Sequence, residues 1–160
     1  MELNYDFRNL TYEDIQMWSH APHSTKYDLC YRIAEDEELK HDKIALMNIV
    51  SIHGVEPWIL DYIGDDVRND MEFLTVLINS TDETRFSFNE FFTRNDDGFT
   101  FKYVDKISPE IRCNEMFWDI LNAHSFELSK KNPQMSIYRF DKATEISKAQ
   151  SELEQKGKRL

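Results

Sequence analysis

His20 and His23 stand in the segment SHAPHS as a His-x-x-His pair, a spacing at which two imidazoles can share a zinc ion. Pro22 falls between them, so a single helical turn cannot carry both, and no Cys, Asp or Glu stands at a matching second spacing. A polar loop after a helix accounts for the pair without a metal. Lys40, His41 and Asp42 gather a cation, a base and an acid in consecutive positions. Asp42 has a simpler role as a helix cap, however, and the positions that match His41 elsewhere in the chain hold Asn69 and Cys113. Cys113 is expected at the start of a helix, where a thiol pKa can be lowered. His124, eleven residues further on, is too far along the same axis to be its base. No Gly-rich phosphate loop, nucleophile elbow or HExxH motif occurs, and four glycines leave little from which to build a phosphate cradle. No catalytic residue, metal or cofactor is expected.

The carboxylates are the remaining chemistry. Glu35-Asp36-Glu37-Glu38 forms one run, Asp65-Asp66 a second, and Glu110 a third, with Asp61 and Asp105 preceding the last two. The chain of 160 residues has a net charge of −11, unevenly spread. Residues 1–124 hold 25 acidic and 11 basic side chains, whereas residues 125–160 hold 5 and 8. Direct nucleic-acid binding runs against this balance, because phosphates are bound by lysine and arginine that displace counterions. A basic protein surface is the complementary partner.

These carboxylates sit on a repeat. Segments 33–50, 63–79 and 107–123 share an aliphatic residue (Leu39, Val67, Ile111), then a basic one (Lys40, Arg68, Arg112), and two further on Asp42, Asp70 or Asn114. The pairs Ala45–Leu46, Phe73–Leu74 and Phe117–Trp118 follow, then Ile49, Leu77 and Leu121. At an offset of 44, Gly54, Asp61, Ile63, Arg68, Phe73 and Leu77 recur as identities. The Asp or Asn is an N-cap, and the apolar residues behind it mark one helical face. Gly54 falls where a helix ends in the left-handed conformation, and Pro57 opens a short helix with Trp58, Ile59, Tyr62 and Ile63. Each unit is thus a short helix, a capped turn and a longer helix, and only stacking can bury its stripe.

The pattern resembles an uncharacterised family of short helical repeats with the unit L-x-Y-A-S-x-x-L-R-N-D-x-x-x-V-x-x-A-V. Residues 59–78, ILDYIGDDVRNDMEFLTVLI, match it best, 103–122 follow, and the resemblance spans roughly residues 30–124 with one insertion. The small Ala-Ser pair before the cap is missing here. The resemblance implies a helical scaffold and brings no catalytic residues.

Outside the repeat, Thr11 caps a first helix with Asp14 where a capping box would have Glu or Gln, and Pro22 stops that helix. A second helix is expected from Lys26 to Ala34. Residues 80–104 admit two readings. Alternation of Phe86 and Phe88, then Phe99, Phe101 and Tyr103, around Asn95-Asp96-Asp97-Gly98 suits a β-hairpin. Ser87 with Glu90 as a capping box, and the repeat register over 99–107, favour helix. Ile137, Phe140, Ala143, Ile146, Ala149 and Leu153 predict one amphipathic helix over 134–155 that caps the stack, followed by a frayed basic tail.

The expected architecture is one mainly α domain of stacked short helix pairs, with the repeat core at 33–124 and a small hairpin as the variant near 85–104. Cys30 and Cys113 read as reduced core thiols, with a long-range disulfide as the other option. No leader or membrane span is read, so a cytoplasmic location is expected. The leading functional reading is a non-enzymatic inhibitor or regulator that docks on a basic partner protein through Glu35, Asp36, Glu37, Glu38, Asp61, Asp65, Asp66 and Glu110. By analogy, such a protein would block a nucleic-acid-binding enzyme, as anti-CRISPR or anti-restriction proteins do. A solvated edge that only aids solubility is the plainer account of the same acids. A second reading is an adaptor with an aromatic groove at Trp58, Phe91, Phe92 and Trp118. A third is a metal-dependent hydrolase using His20 and His23.

Overall fold

The computed structural model describes residues 2–55, 57–82, 88–96, 98–133 and 140–158. Among them the chain is mainly helical, with one two-stranded antiparallel sheet. The helices are α1 (Tyr12–Ser19), α2 (His23–Glu35), α3 (Lys43–Val50), α4 (Asp65–Arg68), α5 (Met71–Ser80), α6 (Pro109–Arg112), α7 (Glu115–Lys131) and α8 (Lys142–Lys158). Strands β1 (Phe92–Asn95) and β2 (Gly98–Phe101) lie between α5 and α6. Short 3₁₀ turns occupy Phe7–Asn9, Leu39–His41, Pro57–Asp61 and Phe88–Phe91. No helix among the described residues is long and apolar enough to cross a membrane.

The three capped turns are built alike. The amide of Asp42 donates to the Leu39 carbonyl at 3.0 Å, that of Asp70 to Val67 at 3.1 Å, and that of Asn114 to Ile111 at 2.9 Å. Each cap side chain then accepts from the first turn of its helix: Asp42 from Ala45, Asp70 from Phe73, Asn114 from Met116. These bonds satisfy amides that a helix start leaves open. The matching apolar positions Ala45/Phe73/Phe117, Leu46/Leu74/Trp118 and Ile49/Leu77/Leu121 are all buried in one core cluster. Helix α3 packs on α5, and α5 on α7.

Equivalent amides also tie one unit to the next. Gly64 N–H donates to the Lys40 carbonyl at 2.9 Å, and Ser108 N–H, 44 positions on, donates to Asn69 Oδ1 at 2.6 Å. Gly64 is small for a reason: a Cβ there would stand 2.4 Å from the His41 ring. Gly54 has φ +91°, the left-handed conformation expected of it. Above it the buried Lys26 ammonium donates to the carbonyls of Ser19 and His53, at 2.8 and 2.7 Å, and so ties the end of α1 to the turn after α3.

Several boundaries differ from expectation. Helix α2 starts at His23, directly after Pro22, because proline at the N-cap needs no amide. Asp14 completes a full capping box with Thr11, its shorter side chain still reaching the Thr11 amide at 2.9 Å. Residues 99–107 are not a helix. Phe92 pairs with Phe101 and Thr93 with Thr100 in the hairpin, and Lys102 N–H prolongs the ladder to the Phe91 carbonyl at 2.8 Å. The repeat resumes only at Tyr103, whose carbonyl accepts from Lys106 just as that of Ile59 accepts from Tyr62, both at 2.9 Å. The hairpin sets Phe92 opposite Phe101 with both rings buried. The last helix begins at Lys142, not near 134: Asp141 caps it, and Phe140 is held in the core, its backbone gripped by both ends of the Asn122 amide. Lys156 and Gln155 of the expected frayed tail are helical. Phe86, Ser87, Asp97 and Ile137, together with the tail residues Arg159 and Leu160, lie outside the described residues.

Candidate functional site

The expected carboxylates are all exposed, yet they are not one uniform row. Glu38, Asp66 and Glu110 occupy equivalent positions on the three short turns, and Glu38 and Glu110 are in no ion pair among the described residues. Asp66 accepts from His41 Nδ1 of the preceding unit at 2.7 Å, and that bond first of all lowers its pKa from the ordinary value. Asp65 pairs with Arg68, Glu37 with Lys40 at 3.0 Å, and Asp61 lies 4.0 Å from Lys106. Asp36 is committed locally, its Oδ1 accepting from the amides of Glu38 and Leu39. Glu35 ends α2 without an ion pair among the described residues.

Beneath the row lie two matching arginines. Arg68 donates to the Leu60 carbonyl and Arg112 to that of Ile107, each at 2.8 Å. Burial lowers the Arg68 pKa, with Asp61 acting in the opposite sense. Arg112 also reaches Glu152 of α8 at 2.5 Å, which ties the C-terminal helix to the third unit. Lys142 adds contacts to Glu115 and Asp119 of α7 at 2.7 and 2.9 Å.

The aromatic groove expected at Trp58, Phe91, Phe92 and Trp118 does not exist as such. Phe91, Phe92 and Trp118 are core residues, and the Trp118 indole donates to the Arg112 carbonyl at 2.7 Å. The hairpin and Phe140 cover them, with Phe92 and Phe140 rings stacked 5.1 Å apart. Only Trp58 stays partly exposed. It belongs to a group the composition did not reveal: Tyr27, Tyr31, Tyr62 and Trp58 form a closed square of ring contacts at 5.5–6.3 Å. Tyr27 and Tyr31 are one turn apart on α2, and Trp58 and Tyr62 have the same separation at the 57–61 turn. That shared i, i+4 spacing was the available signal. Tyr27 and Tyr31 are 40% and 51% exposed.

The histidines and thiols show no assembled chemistry. His20 follows α1 and His23 opens α2, both exposed, and no group of three His, Cys, Asp or Glu among the described residues could hold a metal ion. Both cysteines are free. Cys30 is in the core, where burial pushes its pKa to about 12. Cys113 is only partly buried and is the C-cap of α6, not the start of α7, because Asn114 takes the cap position after it. His124 is engaged elsewhere, its Nε2 donating to the Thr81 carbonyl at 2.8 Å.

The chain matches no protein-family model, no curated protein and no solved structure.

Proposed function

We propose that this protein is a non-enzymatic binding module that docks on a basic surface of another protein through the carboxylates of its short turns. The observation that carries this reading is the recurrence of Glu38, Asp66 and Glu110, exposed, at one position of three hydrogen-bonded units. A row held by hydrogen bonds from backbone amides presents charge without the entropic cost of ordering loops on binding. The excess of acid over base in residues 1–124 acts in the same direction by steering a cationic partner. Blocking of a nucleic-acid-binding enzyme is the biological use that such a surface suits, again by analogy of charge.

Glu38→Lys with Glu110→Lys is the direct test, because neither side chain is in an ion pair among the described residues. A partner captured by the wild-type chain should be lost by this double variant. It should also be released between about 0.1 M and about 1 M salt, as the screening length contracts from about 10 Å to about 3 Å. A partner held equally by both chains and at both salt levels would remove the proposal.

A further inference from the structure

The square of Tyr27, Tyr31, Trp58 and Tyr62 leaves parts of four ring faces and edges open to solvent on a chain of net charge −11. Carboxylates border it. Asp28 and Glu35 line one depression together with Tyr31, and Asp61 ends the 57–61 turn directly before Tyr62. Asp28 and Glu35 are in no ion pair among the described residues, and Asp61 reaches Lys106 only at 4.0 Å. Exposed rings elsewhere in the chain already take a cation: the Arg32 guanidinium lies 4.5 Å from the centre of the Tyr5 ring, and the Lys130 ammonium 4.5 Å from that of Phe126.

We infer that the ring square is a docking site for an arginine-bearing segment of a partner protein, with guanidinium groups laid on the rings and forked to the bordering carboxylates. A guanidinium is planar and weakly hydrated, so it stacks on aromatic faces and still meets a carboxylate bidentately. An ammonium does only part of this. A second copy of this chain is the wrong occupant, since it would bring the same acids against these. The inference rests on the protein-docking reading and names the partner's contacting group, at ring contacts that include neither Glu38 nor Glu110.

The probe is a synthetic peptide alternating arginine and glycine, set against a lysine–glycine peptide of equal length, with Trp58 emission as the local reporter. Trp18 and Trp118 are fully buried, so a change in emission on binding reads Trp58. The arginine peptide should bind about two- to five-fold tighter than the lysine peptide and alter Trp58 emission. Tyr31→Ser should abolish that preference, while Tyr31→Phe keeps it. Glu38→Lys with Glu110→Lys should leave the preference intact. Equal affinity for the two peptides overturns the inference, as does a preference that survives Tyr31→Ser. Absence of binding by the arginine peptide also overturns it, and leaves the carboxylate row to stand or fall by its own variants.

Discussion

Two aromatic groups in this protein have opposite surroundings. Tyr27, Tyr31, Trp58 and Tyr62 meet at the surface between α2 and the 57–61 turn, whereas Phe88, Phe91, Phe92, Phe101, Phe117, Trp118 and Phe140 meet inside. The rings of both groups touch at similar centroid distances and mostly edge to face, so ring geometry does not separate them. Cover does. The inner group has a hairpin and Phe140 laid over α7, while the outer one stays open to solvent at Tyr27 and Tyr31. The chemistry agrees with the placement. Three of the four outer rings carry a hydroxyl that water can satisfy, while six of the inner rings are phenylalanine, Tyr103 is buried beside Phe91 and Phe101, and the Trp118 indole has its own acceptor. The inner rings are therefore core, and the outer rings are the set left open for contact.

The largest expected effect tests the inner group. Trp118→Ala removes a fully buried indole and its bond to the Arg112 carbonyl, and should cost about 3–5 kcal/mol. That is a large share of the roughly 5–15 kcal/mol a domain of this kind has. The denaturation midpoint in urea should fall sharply, and Phe91→Ala should behave alike. Either variant keeping wild-type stability would mean that the hairpin does not seal this region.

How much of this was legible before the structure depends on how local the cause is. Asp42, Asp70 and Asn114 were readable as caps because an N-cap bonds within three residues of itself. The apolar face behind each cap was readable for the same reason. The repeat register favours helix over the hairpin and misleads here, because an alignment transfers position, not backbone shape. Phe92 facing Phe101 is decided by pairing that the equivalent residues of the second unit lack. The start of α8 was missed because Asn122, 18 residues away, holds Phe140 out of the helix. The acid row was legible as charge but not as pairing: His41 reaches Asp66 from 25 residues earlier. Aromatic composition likewise gave no sign of which rings would be covered.

An imidazole packs against the inner group and offers an intermediate test. His124 sits against Phe88 at 5.4 Å and donates to the Thr81 carbonyl. Burial is the chief reason its pKa is lowered from 6.5; the Thr81 bond and Glu127 oppose this, and Lys131 adds to it. With the folded value below the unfolded one, the unfolded chain takes up the proton first. The stability His124 contributes is therefore complete above pH 6.5 and is lost as pH falls through the folded value. His124→Gln keeps a donor for Thr81 and removes the titration. Thermal midpoints followed from about pH 7.5 to about pH 5 should fall more steeply for the wild type than for the variant. Parallel curves would place His124 in a wetter setting than the ring contacts describe.

The smallest expected effect belongs to the outer group, and its smallness is the point. Tyr31 is half exposed and its neighbours in the square hold one another through Trp58, so Tyr31→Ser should change stability by no more than about 0.5 kcal/mol. The same substitution should remove the arginine preference. A ring that can be deleted at little cost to the fold, yet not without loss of binding, is kept at the surface for contact. If Tyr31→Ser instead lowered the urea midpoint as Trp118→Ala does, the two aromatic groups would share one structural role, and the outer rings would be core that happens to be wet.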